Sequence, residues 1–101
     1  MVRFRTASDR PSRPRLLLTG FGPFPGAPRN PTADVVARLS EPGVGERLGV
    51  DIVPHVFSTT WSALDDLAEL LAWARPDVVL HLGLKRRATA IAVEAFGRNR
   101  V

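Results

Sequence analysis

The sequence predicts an α/β fold, in which helices cross over between the strands of one sheet. Short apolar runs, typical of strands buried on both faces, occupy residues 16–19 and 77–83. Segments with helical apolar spacing lie between the runs. The predicted order along the chain is β-α-β-α-β-β, which requires a sheet with helical crossovers.

The first half of the chain predicts a strand, a loop and a helix. The strand at residues 16–19 leads into a loop at 20–30 that is rich in glycine and proline. Asn30 is predicted to cap the helix because its side-chain oxygen can accept from a first-turn amide, and Pro31 suits a position that needs no N–H. The helix is expected to end before Pro42.

The second half predicts a strand at residues 48–57, and Pro54 inside it indicates an edge or broken strand. A helix follows at 61–74, with a cap offered by the hydroxyls of residues 58–60. Its predicted apolar face comprises Leu64, Leu67, Leu71 and Ala74.

A buried strand at 77–83 and a short strand near 89–93 complete the predicted sheet, with a basic turn at 84–87 between them. The chain stops just after this fourth strand. We therefore expect a truncated α/β domain with apolar surface left uncovered.

Composition narrows the function classes. The chain has 101 residues, 45% of them hydrophobic and 24% charged, as in globular proteins. Residues 1–14 are predicted to be a basic disordered tail and 15–101 the domain. No apolar stretch suits a membrane span, so no membrane partner is expected. The net charge of +4 follows from an arginine-rich composition, and contact with nucleic acid is not expected.

Several kinds of site are excluded or disfavoured. The absence of cysteine excludes disulfides, thiolate zinc sites and a cysteine nucleophile. The glycine-rich loop has Pro25 where a dinucleotide motif needs its third glycine, and no Lys-Ser/Thr pair follows. No cofactor is expected. His55 and His81 lack acidic partners at ligand spacing, so no metal site is expected. His55 is interpreted as a strand or edge residue, and His81 as a hydrogen-bonded core residue.

Two aromatic residues lie on the loop that follows the first predicted strand, at the strand end where open α/β sheets place their ligands. Phe21 and Phe24 could form the walls of a small, flat, apolar pocket. They could equally close the end of the core. Their spacing alone leaves both alternatives open.

The segments Thr19-Gly20-Phe21-x-Pro23-Phe24-x-Gly26 and Asn30-Pro31-Thr32 resemble the opening of the pyroglutamyl peptidase I family. The resemblance continues through Pro54-x-Val56-Phe57, residues 76–83 and Ile91-x-Val93-Glu94, to Asn99. It covers residues 15–99, which correspond to about the first half of a family member.

The resemblance implies a three-layer, phosphorylase/hydrolase-like sheet and a cytoplasmic cysteine peptidase that removes N-terminal pyroglutamyl residues from peptides. It also implies that Phe21 and Phe24 hold the lactam ring and that Asn30 belongs to the substrate site. Glu94 would be the acidic member of a Cys-His-Glu triad, in which it orients the histidine.

The sequence departs from the family pattern at the residues that carry out catalysis and contact the substrate. The chain has no cysteine, and the family histidine belongs to the second half. Leu84-Lys85-Arg86-Arg87 stands where family members have a glutamine and a glycine-rich turn. We therefore expect a chain that is inactive alone. The alternatives are a non-catalytic binding module that forms homo-oligomers through its unfinished sheet, and a nucleic-acid contact through the basic residues.

Overall fold

The computed structural model describes residues 13–94, which form a three-stranded parallel sheet flanked by helices. The elements in chain order are β1 (Arg15–Phe21), α1 (Pro31–Leu39), α2 (Val44–Leu48), β2 (Asp51–Phe57), α3 (Ala63–Ala74) and β3 (Val78–His81). The predicted α/β fold class is confirmed. The predicted tail lies outside the described residues except for its last two residues, and Asn99 also lies outside them.

The central strand of the sheet is β1, which pairs in parallel with β2 on one side and β3 on the other. It carries the most buried side chains, Leu17, Leu18 and Thr19. The connections from β1 to β2 and from β2 to β3 run in opposite directions across the sheet. The right-handed rule for such crossovers therefore assigns α1 and α3 to opposite faces.

The N-terminus of α1 confirms the predicted cap. Asn30 Oδ1 accepts from the backbone N–H of Thr32 at 3.0 Å, and Pro31 occupies the first turn. Val36 faces the sheet and is buried, whereas Val35 is exposed. The cap fixes where the helix starts, directly after the loop that follows β1.

The second strand starts later than predicted because a short helix precedes it. Leu48 ends α2 instead of opening β2. Gly43 and Gly49 flank α2 with φ angles of 89° and 76°, values that glycine adopts at no steric cost. The position of Pro54 is confirmed: β2 is an edge strand, where a missing ladder N–H is tolerated.

The face that α3 turns to the sheet differs from the predicted one. Leu64 and Leu71 are exposed, whereas Ala74 is buried and Leu67 is half-buried. The predicted hydroxyl cap is also wrong, because the N-cap is Ser62 and its side chain makes no capping hydrogen bond. The apolar residues of α3 occupy a wider part of the helix surface than the part that the sheet covers. Periodicity alone therefore did not identify which of these residues are buried.

Two predictions at the C-terminal end of the sheet are wrong. β3 is exposed along its whole length, although its sequence reads as a buried strand. Residues 89–93 form no strand, and Ile91 and Val93 are almost fully exposed. The described sheet therefore ends at its third strand. The burial of β3 was wrongly predicted because a strand is buried only by elements packed against it, and β3 is an uncovered edge.

His81, in the exposed strand β3, is also less buried than predicted. Its Nδ1 lies 2.6 Å from the hydroxyl of Thr19 across the β1–β3 ladder, so the predicted hydrogen bond exists. The residue is nevertheless exposed and is not a core histidine. Of the helices within residues 13–94, none combines the length and the apolar character needed to cross a membrane.

Arg15 stabilises the amino end of the sheet, opposite the carboxyl ends of the strands. Its backbone N–H donates to the Asp77 carboxylate at 2.7 Å, and its guanidinium donates to the carbonyl of Ala74 at 2.6 Å. A cation at the C-terminal end of a helix also interacts favourably with the helix dipole. One residue, through its backbone and its side chain, therefore joins β1, the end of α3 and the start of β3.

Gly20 provides a stability test. A Cβ atom there would lie 2.9 Å from the carbonyl oxygen of Thr32 and 3.0 Å from its hydroxyl. We expect Gly20→Ala to lower the free energy of unfolding by about 1–3 kcal/mol, because α1 must move away from β1. Gly83→Ala is the matched control, since nothing lies within 4 Å of its Cβ position. Urea unfolding of both variants measures the difference, and equal stabilities would contradict this packing.

Candidate functional site

The candidate site lies at the carboxyl edge of the sheet. All three strands are parallel, so their carboxyl ends share one edge, where α/β proteins bind ligands. Phe21 ends β1 and Phe57 ends β2, and the two residues are direct partners in the ladder. The loops that follow these strands therefore meet.

The loop after β1 is tied to the start of α1. Thr32 Oγ1 accepts from the backbone N–H of Phe21 at 2.9 Å, and its hydroxyl donates to Asn30 Oδ1 at 2.8 Å. Asn30 Nδ2 donates to the carbonyl of Gly22 at 3.3 Å. Both side chains are buried. The backbone at the end of β1 is therefore held by two polar side chains.

Beyond Gly22 the loop forms a tight hairpin. Phe24 and Ala27 exchange backbone hydrogen bonds of 3.0 and 2.8 Å. Pro25 and Gly26 occupy the tip, and the φ of Gly26 is +91°. A proline followed by a residue with positive φ is the pattern of a type II turn. The hairpin fixes the position of Phe24 relative to the end of β2, since Gly22 N–H donates to the carbonyl of Phe57 at 2.9 Å.

An open cleft of about 370 Å³ separates the hairpin from the end of β2. One wall is the hairpin, and the other is the strand end with three hydroxyl-bearing residues. The lining residues are Gly22, Pro23, Phe24, Pro25, Val56, Phe57, Ser58, Thr59 and Thr60. None of them is charged. Phe57 is only 4% exposed, so the cleft offers the half-buried ring of Phe24 on one side and hydroxyl groups on the other.

The aromatic residues are arranged around Phe57. Its ring lies 5.9 Å from the ring of Phe21 and 4.5 Å from the ring of His55, between centroids. Such tilted and edge-on geometries are the favourable ones for aromatic pairs. Phe21 is half-buried and stands beside Phe57, whereas Phe24 stands on the cleft wall.

The sequence-predicted site residues are placed as follows. Phe24 lines the cleft and Phe21 contacts the cleft residue Phe57. Asn30 is buried behind the loop, and its amide is engaged by Gly22 and Thr32. Glu94 is exposed in an irregular segment at the end of the described chain. Of these four residues, Phe24 alone lines the cleft.

Sequence reasoning missed Phe57 as a wall of the cleft. The signal was available, because Phe57 ends a strand that is predicted to be parallel to the first one. Two parallel strands with an aromatic residue at each carboxyl end present both rings at the same edge. What the sequence lacked was the register that sets Phe57 opposite Phe21.

The comparisons with known proteins point to one family. The sequence model described as pyroglutamyl peptidase matches residues 14–100. The chain belongs to the pyroglutamyl peptidase family. Both walls of the cleft lie within the matched part of the chain.

Curated relatives agree with this family. The chain is 37% identical over 90 residues to pyrrolidone-carboxylate peptidase 1 of Ralstonia nicotianae. The aligned region covers 85% of the chain and 39% of the relative. The chain is 30% identical over 88 residues to the pyrrolidone-carboxylate peptidase of Pyrococcus furiosus, covering 86% and 41%. The chain thus spans about two fifths of the length of these relatives. No solved structure matches it significantly.

Asn30 offers a second stability test. Asn30→Ala removes the cap of α1 and the hydrogen bond to Gly22, and we expect a loss of about 2 kcal/mol in the free energy of unfolding. Asn30→Asp keeps the capping oxygen but not the amide donor, so a smaller loss is expected. Urea unfolding of both variants gives the comparison. A wild-type stability for Asn30→Ala would refute the anchoring of this loop.

Proposed function

We propose that this chain supplies the lactam-binding part of a pyroglutamyl-peptidase-type hydrolase, a cysteine peptidase of the cytoplasm that acts on peptides with an N-terminal pyroglutamyl residue. The observation that carries the proposal is the cleft between Phe24 and Phe57. Its hairpin wall is formed by the segment that resembles the family opening. Family membership and the names of the curated relatives support the substrate class.

The chemistry of the cleft suits a five-membered lactam. A flat ring gains from contact with the aromatic surface of Phe24, and its amide can hydrogen-bond to hydroxyls. The hydroxyl-bearing residues 58–60 provide such groups on the β2 side. Pro23 and Pro25 remove backbone donors from the opposite wall, which makes that wall apolar. The ring is therefore expected to stack on Phe24 and to direct its polar edge toward β2.

Hydrolysis needs groups that this chain does not contain. In a Cys-His-Glu triad the thiolate attacks the amide carbonyl, the histidine protonates the leaving amine, and the carboxylate orients the histidine. The chain has no cysteine. We assign Glu94 the carboxylate role, by its match to the family pattern. Binding is thus separable from turnover in this molecule.

The separation can be measured on the purified chain. We expect no turnover of a fluorogenic pyroglutamyl amide at the rate of the family, because removing a triad nucleophile leaves at most ~10³–10⁴-fold catalysis over water. We also expect pyroglutamamide, a neutral lactam, to shift the amide NMR signals of the hairpin and of residues 56–60. Phe24→Ala should abolish these shifts, since it removes one wall of the cleft.

Trp73→Ala is the control for this variant, because Trp73 is an exposed aromatic residue on α3 and does not line the cleft. It should leave the shifts unchanged. Two results would overturn the proposal: turnover at family rates by the chain alone, or lactam-induced shifts that survive in Phe24→Ala.

A second candidate function is a binding module that pairs with a second copy of itself. The exposed β3 edge favours it: Val78, Val79 and Leu80 are 52%, 38% and 46% exposed. Such an edge is a template for strand pairing. Asp77 precedes β3, and the basic residues 85–87 follow it. Antiparallel pairing of two copies would bring each acidic end toward the basic end of the other.

Light scattering after size exclusion tests this pairing. We expect the wild-type chain to have the mass of a dimer and Val79→Lys to be a monomer, because the new charge lies in the pairing edge. Val35→Lys on α1 is the matched control, with a starting exposure of 41% against 38%, and should remain a dimer. A monodisperse wild-type monomer, or a dimer that both variants keep, would eliminate this candidate.

A further inference from the structure

The cleft itself contains no charged side chain that could balance an anionic ligand. Its walls offer aromatic rings, proline rings and hydroxyl groups only. A neutral lactam can bind without a charged partner, but a lactam with a free carboxylate needs a cation near its carboxylate. The electrostatic preference of the site therefore depends on what stands next to the cleft.

A basic turn stands at the same edge of the sheet. After β3 the backbone N–H of Leu82 donates to the carbonyl of Thr19 at 2.9 Å, which keeps the chain beside the end of β1. The backbone N–H of Ala88 then donates to the carbonyl of Lys85 at 3.0 Å and closes a turn. This turn carries Lys85, Arg86 and Arg87. It is the segment that departs from the family pattern.

Arg86 extends from this turn to the tip of the hairpin. Its Nη1 lies 3.2 Å, and its Cζ 3.8 Å, from the position that a Cβ of Gly26 would occupy. The guanidinium therefore lies against the face of Gly26 where a side chain would stand. Gly26 directly follows Pro25, and both Pro25 and Phe24 line the cleft. A cation thus lies at the tip of the hairpin, beside the residue that follows the cleft-lining Pro25.

The charge of Arg86 is not used within the described fold. The ion pairs between side chains of residues 13–94 join Arg13 with Asp51 and Arg29 with Asp34. Arg86 takes part in neither. Guanidinium groups bind carboxylates through paired N–H donors. Arg86 is exposed, so its guanidinium can take a carboxylate partner from solution.

We propose that Arg86 makes this cleft selective for a lactam that carries a free carboxylate, pyroglutamate itself, over the neutral amide of the same ring. The inference rests on the proposed function, since it assumes that the ring enters the cleft. The ring would contact Phe24, while the carboxylate would face the guanidinium over the hairpin tip. A peptidase product site of this kind retains the released acid.

Calorimetry with two nearly isosteric probes tests the selectivity. We expect the wild-type chain to bind pyroglutamate about fivefold more tightly than pyroglutamamide, the gain typical of one partly exposed charge pair. Arg86→Gln should remove the preference and leave the affinity for pyroglutamamide unchanged. Arg86→Lys should retain part of it. Raising the salt concentration should weaken binding of the acid more than binding of the amide.

Arg38→Gln is the control for net charge, because Arg38 is exposed in the last turn of α1, at the end opposite the cleft. It should keep the fivefold preference. Equal affinities in the wild-type chain, or a preference that persists in Arg86→Gln, would overturn the role of Arg86 and leave the lactam cleft standing. Failure of both probes to bind the wild-type chain would instead refute the cleft, and with it the selectivity.

Discussion

The hydrogen bonds of Thr32 and Asn30 are the constraint on which the site depends. They tie the end of β1 to the first turn of α1 through the Phe21 N–H and the Gly22 carbonyl. The backbone approaches so closely there that only glycine fits at position 20. With the strand end fixed, the hairpin that follows can hold Phe24 across from Phe57. The polar residues of the family opening therefore lie behind the cleft, and Phe24 lines it.

The fold is unequally stabilised on its two sides. The β1–β2 side has α1 packed on it and contains most of the buried apolar residues, such as Leu17, Val36 and Phe57. The β3 side is held by the Arg15 contacts and the Thr19–His81 hydrogen bond, and its apolar side chains are exposed. The cleft lies on the better packed side. Glu94, in contrast, follows the exposed strand β3.

Local rules explain the parts of the fold that sequence reasoning predicted correctly. The cap at Asn30, the edge position that Pro54 requires and the approximate position of α3 all follow from interactions within a few residues. The short helix α2 was missed because its five residues are too few to show helical periodicity. The burial of β3 and the strand at 89–93 were predicted from apolar pattern alone, and pattern cannot show whether a covering element exists.

The sequence alone determined the fold class, the family resemblance and Phe24 as a ring-binding candidate. The reason is that apolar strand segments, helix caps and a glycine-proline motif are each formed by residues that are neighbours in the sequence. It also determined that the chain has no cysteine nucleophile. Only the tertiary structure placed Phe57 opposite Phe21 and brought the Arg86 guanidinium onto Gly26. The first contact depends on strand register and the second on a turn sixty residues away along the chain. A local sequence pattern contains no information about either contact, because the residues involved are far apart in the sequence.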